Sequence, residues 1–332
     1  MKVVFCTKEF WPGVKNFLDS IKSVLVEEFK EKIEIQSFFI PQNGFNGSLI
    51  HVLKSTPPDL LIIGGWDNSI RNVIANVNKS RTKVFLVWCS PVSQTDLGNE
   101  NLLFVDAYNF MKLGLVQYTS FIFEKDYQTL KSLNENYVYT PVCFDEKELE
   151  LNKVKEKEIV DGFSCDLFCA ANPRKNLFSQ ILCLSRFENI KVHTNFTRPE
   201  YSELGKRFLK NQVNYGWISR QEYLKLIQQM DFGMQVSFAD GFNLVAAEHM
   251  FYRIPMICSS FFPYYNGNKD LLPLAVQDRT DCNEIYDKIK SLILSRSRME
   301  DLGEISRQCI LKKNDENKIV LKELFNKILV GV

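Results

Sequence analysis

The chain has 332 residues, 45% of them hydrophobic and 24% charged, an ordinary globular composition with length enough for two domains of about 150 residues each. Its 41 basic and 40 acidic residues leave a formal charge of +1, so no global field draws it to nucleic acid or anionic lipid. The opening MKVVFCTKEFWPG lacks the apolar stretch of a signal peptide, and no run approaches the ~18 apolar residues of a membrane span.

The first half repeats a strand-then-helix rhythm, the pattern of a parallel sheet covered by helices on both faces. Strands are expected at 2–6, 33–40, 60–63, 83–88, 116–121 and 137–142, with helices at 14–30, 48–54, 69–79, 100–112 and 123–133. In the helix at 14–30, Phe17, Ile21, Val24, Leu25 and Phe29 recur at helical spacing. From 146 to 161 the chain reads EKELELNKVKEKEIVD, without strong apolar periodicity, and is expected to be an inter-domain linker with a solvated segment. The alternation then restarts, with strands at 164–170, 190–194, 213–215, 232–236, 255–258 and 274–276. Helices are expected at 175–187, 200–210, 220–230, 242–252, 283–294, 298–309 and 315–329. The expected class is α/β: two Rossmann-like, doubly wound domains at 1–145 and 162–312, facing across a cleft, with a C-terminal segment at 313–332. Nine cysteines without a secretion signal read as reduced thiols of a cytoplasmic protein, and their odd number argues against a closed disulfide framework. His51, His193 and His249 are too scattered for the ligand spacings of a zinc site.

One stretch carries most of the chemistry: DFGMQVSFADGFNLVAAEHMFYRIPMICSS, residues 231–260. It reads as strand, tight loop, helix and second strand, with Asp240 closing the loop and Gly241 opening the helix. Glu248 follows seven residues later, so the two would share a helix face about 10 Å apart along the axis. Free amides at a helix start attract an anion, and glycine lets a phosphate approach the backbone. A carboxylate further along that face can accept from a ribose diol, which together makes a binding ruler for a nucleoside diphosphate. An ordinary βαβ unit with a capping acid and a solvated glutamate has the same spacing; the strand, glycine and proline in order favour the ligand reading.

Asp240-x7-Glu248, with GFNLVAAEHM and then RIPMICSS, resembles the E-x7-E signature of retaining GT-B glycosyltransferases, family 4 in particular. Ser237, Gly241-Phe242, Glu248, Met250 and Ile254-Pro255 match that pattern, while Asp240 replaces a Glu, Asn243 and Arg253 replace glycines and His249 replaces an Ala. A second element, Ala171-Asn172-Pro173-Arg174-Lys175-Asn176-Leu177, follows the first strand of the second domain. There the family carries an Arg and then, about five or six residues later, a Lys opening a helix as K-G or K-N. Lys175-Asn176 matches the Lys, Cys169 and Ala170 stand where the Arg falls, and Arg174 is the neighbouring candidate for its charge. Cations at a helix start oppose its dipole, a penalty a bound anion would relieve.

The resemblance implies transfer of a sugar from a nucleotide-diphosphate sugar, UDP- or GDP-linked, to an acceptor hydroxyl with retention of configuration. It assigns Asp240 to sugar hydroxyls, Glu248 to the ribose, and Lys175, Arg174 and the amides of Gly241, Phe242 and Asn243 to the leaving diphosphate. Asn172 belongs to the same donor-binding set, and Trp217 and Ile218 correspond to a stretch whose backbone reads the base. Gly13 is what remains of a glycine-rich loop after the first strand, and the His the family often has after its fourth strand is absent from 87–91. Trp66, Asp67, Trp88 and Ser90, at strand ends of the first domain, are acceptor-side candidates. In GT-B enzymes a C-terminal helix commonly crosses back onto the N-terminal domain, and 319–329 is the candidate. No D-x-D motif is present, so neither a catalytic metal nor any other cofactor is implied. The acceptor is open among glycan, lipid-linked glycan, protein and modified nucleic-acid base, with peripheral membrane association also left open. Nucleotide-sugar 2-epimerases and related hydrolases share this architecture, and a GT-B protein that binds donor without turnover is the non-catalytic alternative.

Overall fold

A computed structural model describes all residues except 43, 45, 98–99, 155–160, 170–171 and 332. Short apolar runs buried on both faces form the strands; β-sheet position three, Leu60–Gly64, is buried along its whole length, as a central parallel strand must be. The first sheet uses β1 (Lys2–Lys8), β2 (Glu34–Ile40), β3 (Leu60–Gly64), β4 (Lys83–Trp88), β5 (Tyr118–Phe121) and β6 (Tyr137–Tyr139), in the order β2-β1-β3-β4-β5-β6. The second uses β7 (Phe163–Leu167), β8 (Ile190–Thr194), β9 (Gln212–Asn214), β10 (Phe232–Gln235), β11 (Met256–Ser259) and β12 (Ala275–Val276), in the order β12-β11-β10-β7-β8-β9. Every pairing in both sheets is parallel.

Helices connect the strands: α1 (Pro12–Phe29), α2 (Gly47–Ser55), α3 (Asn68–Ala75), α4 (Val92–Leu97), α5 (Asn101–Lys112), α6 (Glu124–Leu130) and α7 (Glu146–Leu151). They are followed by α8 (Leu177–Leu184), α9 (Pro199–Phe208), α10 (Arg220–Ile227), α11 (Leu244–Phe251), α12 (Cys282–Ile293) and α13 (Arg296–Leu329). Two compact units result, one of Met1–Phe144 with Asn314–Val332, the other of Asp145–Lys313.

Three expectations are corrected. The segment at 146–161, expected to be a linker with a solvated part, begins with a helix that is partly buried: Asp145 caps α7 by accepting from the Lys147 and Glu148 amides, and Leu149 is buried. Its stretch at 155–160 lies outside the described residues. The two C-terminal helices are one, because nothing in ILKKNDENK, neither proline nor glycine, interrupts the hydrogen-bond ladder. The last part of α13 packs within the first unit: Phe325 meets Phe85 at 5.3 Å between ring centres, and Asn317 Nδ2 donates to the Val142 carbonyl at 2.8 Å. Finally, α4 has no counterpart among the expected helices.

Candidate functional site

In the second sheet the chain leaves β7 towards β8 on one side, then returns to place β10 on the other. The loops after β7 and β10 therefore diverge at a topological switch point, where open α/β sheets bind ligands. Polar bonds tie these segments together: the Phe238 amide donates to the Arg174 carbonyl at 2.8 Å, and Gln180 Oε1, on α8, accepts from the Val236 amide at 3.0 Å. The K-N element does not open a helix as expected. Pro173–Lys175 is a 3-10 turn whose first amide, on Arg174, is capped by Asn172 Oδ1 at 3.1 Å; Asn176 then turns left-handed (φ 52°) before α8 begins.

This geometry brings Arg174 and Lys175 onto one carboxylate. Arg174 Nη1 lies 3.1 Å from Asp240 Oδ1, and the Lys175 ammonium makes a close contact with Oδ2. Asn243 Nδ2 donates to Oδ2 at 2.9 Å and the Gly241 amide to Oδ1 at 3.0 Å. Burial alone would raise the Asp240 pKa, but Lys175 and Arg174 overcome it and hold the group below the usual carboxylate range. Two cations against one carboxylate leave one positive charge in excess, in a buried setting where charge is poorly screened. Cys169 lies within electrostatic reach of the three; burial pushes its thiol up to about 12, so it is no nucleophile at neutral pH.

Gly241 does not open the helix either: Asn243 is the N-cap of α11, its Oδ1 accepting from the Ala246 amide at 3.0 Å. Asn243 has φ 58° and Arg253, after α11, φ 61°. These are the two positions where the resembled motif carries glycine, so the left-handed backbone is kept while the glycine is not. Asparagine tolerates that conformation well and arginine poorly. Among the described residues no acceptor meets the Phe242 and Asn243 amides, whereas the Gly241 amide is taken by Asp240.

Glu248, one turn inside α11, is 2% exposed and does not stand free. Its Oε1 accepts from Arg220 Nη1 at 2.7 Å, and the same guanidinium forks onto Glu148, Nε to Oε1 at 3.2 Å and Nη2 to Oε2 at 2.9 Å. Burial raises the Glu248 pKa and the Arg220 charge works against that rise. Arg220 and Glu148 were not foreseen: residues 148, 220 and 248 lie on three separate helices, and no local pattern joins them.

The remaining candidates divide. Trp217 is 82% exposed, with Ile218 half-buried beside it, so the indole is not a packing residue. Phe242 is buried with its ring 5.1 Å from that of Tyr264. In the first unit Gly13 sits in the first turn of α1, not in a loop, and a Cβ there would meet nothing. Trp66 and Trp88 are core residues, 4% and 3% exposed; Trp66 Nε1 donates to Asp106 at 2.9 Å and Trp88 stacks edge-on with Phe104. Asp67 caps α3 and pairs with buried Lys8 at 3.0 Å, a lysine that sequence reasoning passed over. The Ser90 hydroxyl accepts from Gln94 Nε2 at 3.1 Å. Each of these four therefore has a structural task at its strand end. Among the described residues no group of three or more His, Cys, Asp or Glu side chains is disposed to hold a metal, and no helix is long and apolar enough to cross a membrane.

The fold is that of the GT-B glycosyltransferases. Among solved structures, sucrose-phosphate synthase from Thermosynechococcus elongatus superimposes with a TM-score of 0.72 at 12% identity, with 100% of each chain covered. HepE from Anabaena, solved with UDP and glucose, gives 0.70 at 12% identity, again over 100% of both chains. A putative UDP-N-acetylglucosamine 2-epimerase from Listeria monocytogenes gives 0.60 at 9% identity over 94% of each. No family model matches the sequence, and no curated protein sequence does.

Proposed function

We propose that this protein is a retaining glycosyltransferase that moves a sugar from a nucleotide-diphosphate sugar to an acceptor hydroxyl. The observation that carries the reading is the pair of cations, Arg174 and Lys175, gathered on Asp240 at the switch point of the second sheet, with Glu248 on the helix that follows. Arg174, Lys175 and the amides of Phe242 and Asn243 receive the diphosphate and stabilise its charge as it departs. Such preorganised charge is the largest single contribution in many transfer enzymes. The two basic side chains supply the neutralisation a divalent cation would otherwise give, so the reaction is proposed to need no metal or other cofactor. Asp240 orients hydroxyls of the donor sugar; being one carbon shorter than the motif's Glu, it holds them closer to the cations. Glu248 accepts from the ribose, and the exposed face of Trp217 offers a surface on which the base stacks. UDP is the first donor nucleotide to test, because UDP is bound in the similar HepE structure.

A donor panel of UDP-, GDP- and ADP-sugars, read by thermal stabilisation and then by product formation with added glycan, lipid-linked and peptide acceptors, tests this. The expected result is transfer to an acceptor with the anomeric configuration kept, observed by NMR. Glu248→Ala should raise the donor KM sharply and Lys175→Ala should mainly lower kcat; unchanged kinetics in both would remove the roles given to them. The likeness to the Listeria protein supports a second reading. Epimerised or hydrolysed donor, without transfer to any acceptor, would establish that one, and donor binding with no turnover would leave a binding protein.

A further inference from the structure

Arg220 is the first residue of α10, after Ser219, which caps the helix in a reciprocal box with Glu222. A cation there opposes the helix dipole, so its placement needs compensation from elsewhere. That compensation is two carboxylates: the fork onto Glu148 takes Nε and Nη2, and Nη1 is left for Glu248. Lysine lacks the planar fork that pairs bidentately with Glu148 while a third N–H reaches Glu248. Just upstream, Gly216 turns left-handed (φ 62°) and presents Trp217 outward. The loop that would meet a base and the carboxylate that would meet a ribose are thus joined through one guanidinium.

We propose that Arg220 is a positioning residue for the nucleoside end of the donor, aiming the Glu248 carboxylate while fixing the preceding loop relative to it. This deepens the glycosyl-transfer reading and rests on it. The physical need follows from burial. The Glu248 side chain is 3% exposed, and a carboxyl so placed takes up a proton unless a cation opposes it. A protonated acid loses acceptor capacity towards a diol. The charged and titratable groups around Glu248, among the described residues, are Arg220 and Tyr223 on α10, Glu148 on α7, His249 on α11 with Tyr252 as its C-cap, and Tyr264 beyond β11, with Asp166 of β7 behind His249. Among the described residues only Arg220 bonds the carboxylate as a permanent cation.

The test is calorimetric binding of UDP, GDP, ADP and inorganic pyrophosphate to the full-length protein, to Arg220→Gln, to Arg220→Lys and to Arg220→Gln/Glu248→Gln, at mildly acidic and alkaline pH. In Arg220→Gln, affinity for the preferred nucleoside diphosphate should fall roughly 10- to 100-fold at the acidic pH, the scale of a hydrogen bond to a charged group. Affinity for pyrophosphate should be unchanged. The deficit relative to wild type should shrink at alkaline pH as Glu248 ionises, and the double variant should lose that recovery. Arg220→Lys should fall between wild type and Arg220→Gln, and carries the comparison should the glutamine variant not fold. Equal losses for pyrophosphate and nucleotide, or a deficit that does not change with pH, would overturn the inference and leave Arg220 a structural brace. Nucleotide binding by wild type and Arg220→Gln alike overturns the Arg220 role alone, whereas a wild type that binds none of the three nucleotides overturns the donor-site reading with it.

Discussion

Replacing Asp240 by asparagine separates the electrostatic work of this residue from its shape. The amide keeps an oxygen to accept from the Gly241 N–H but removes the charge that Arg174 and Lys175 share. Removing one partner of a buried ion pair costs roughly 3–5 kcal/mol. The Arg174 side chain is 18% exposed and can relax towards solvent, which brings the expected loss to about 2–3 kcal/mol. At about 2–4 °C per kcal/mol for a unit of this size, Tm should fall by about 4–12 °C. The excess charge of the cluster meanwhile rises from one to two, because the single carboxylate no longer offsets either cation. Added pyrophosphate should therefore raise the Tm of Asp240→Asn by more than it raises that of the wild type. Thermal unfolding with and without pyrophosphate reads both effects. A variant as stable as wild type, with the same response to pyrophosphate, would show that the three side chains do not form an electrostatic unit.

Three further outcomes are expected. Asn243→Ala should cost about 2–4 kcal/mol in urea unfolding, from the left-handed backbone and the lost cap, and Asn243→Gly should cost less because it keeps the backbone. Gly303→Ala places a Cβ 2.1 Å from the Arg253 carbonyl oxygen, a backbone atom that cannot swing aside, and should destabilise by about 1–3 kcal/mol on the same measurement. Burial would lower the His249 pKa, but Asp166, 3.2 Å away, outweighs it and raises the value. A raised histidine contributes stability that is complete below about pH 6.5 and is lost as pH climbs through the folded value. The urea midpoint should therefore decline across that alkaline limb in wild type and decline less in His249→Gln; equal slopes would count against the pair.

Much of the architecture was legible because its causes are local. Two-faced burial makes strands such as LLIIG continuously apolar, and the helices between them repeat at helical spacing, so the α/β alternation stands in the letters. The continuity of α13 was not, because its middle, LKKNDENK, is polar yet contains no residue that breaks a helix; Asn314 and Asn317 there are buried through bonds to carbonyls at Phe144 and Val142. Of the candidate site, motif order on a doubly wound sheet brings the loops that carry Arg174, Lys175 and Asp240 to adjacent strand ends, but their ion pairing is seen only in the structure. The helix starts were misplaced by about two residues at both Lys175 and Gly241, since a 3-10 turn and a left-handed asparagine respectively stand before the helix proper. The Glu148–Arg220–Glu248 cluster could not be read at all, since charge pairing across distant segments leaves no periodic trace.

The path of α13 bears on how the protein is made. The chain's closing residues, through Phe325 against Phe85 and Lys83 against the Ile328 carbonyl, finish the hydrophobic interior begun by its opening ones. A nascent polypeptide emerging from the ribosome thus holds residues 1–144 without the helix that completes their unit until the stretch from Asn314 onward has been made, while the intervening unit, Asp145–Lys313, is sequence-contiguous and free to mature earlier. The unit begun first should be completed second, and a stop codon placed just before Asn314 should injure residues 1–144 more than residues 145–313.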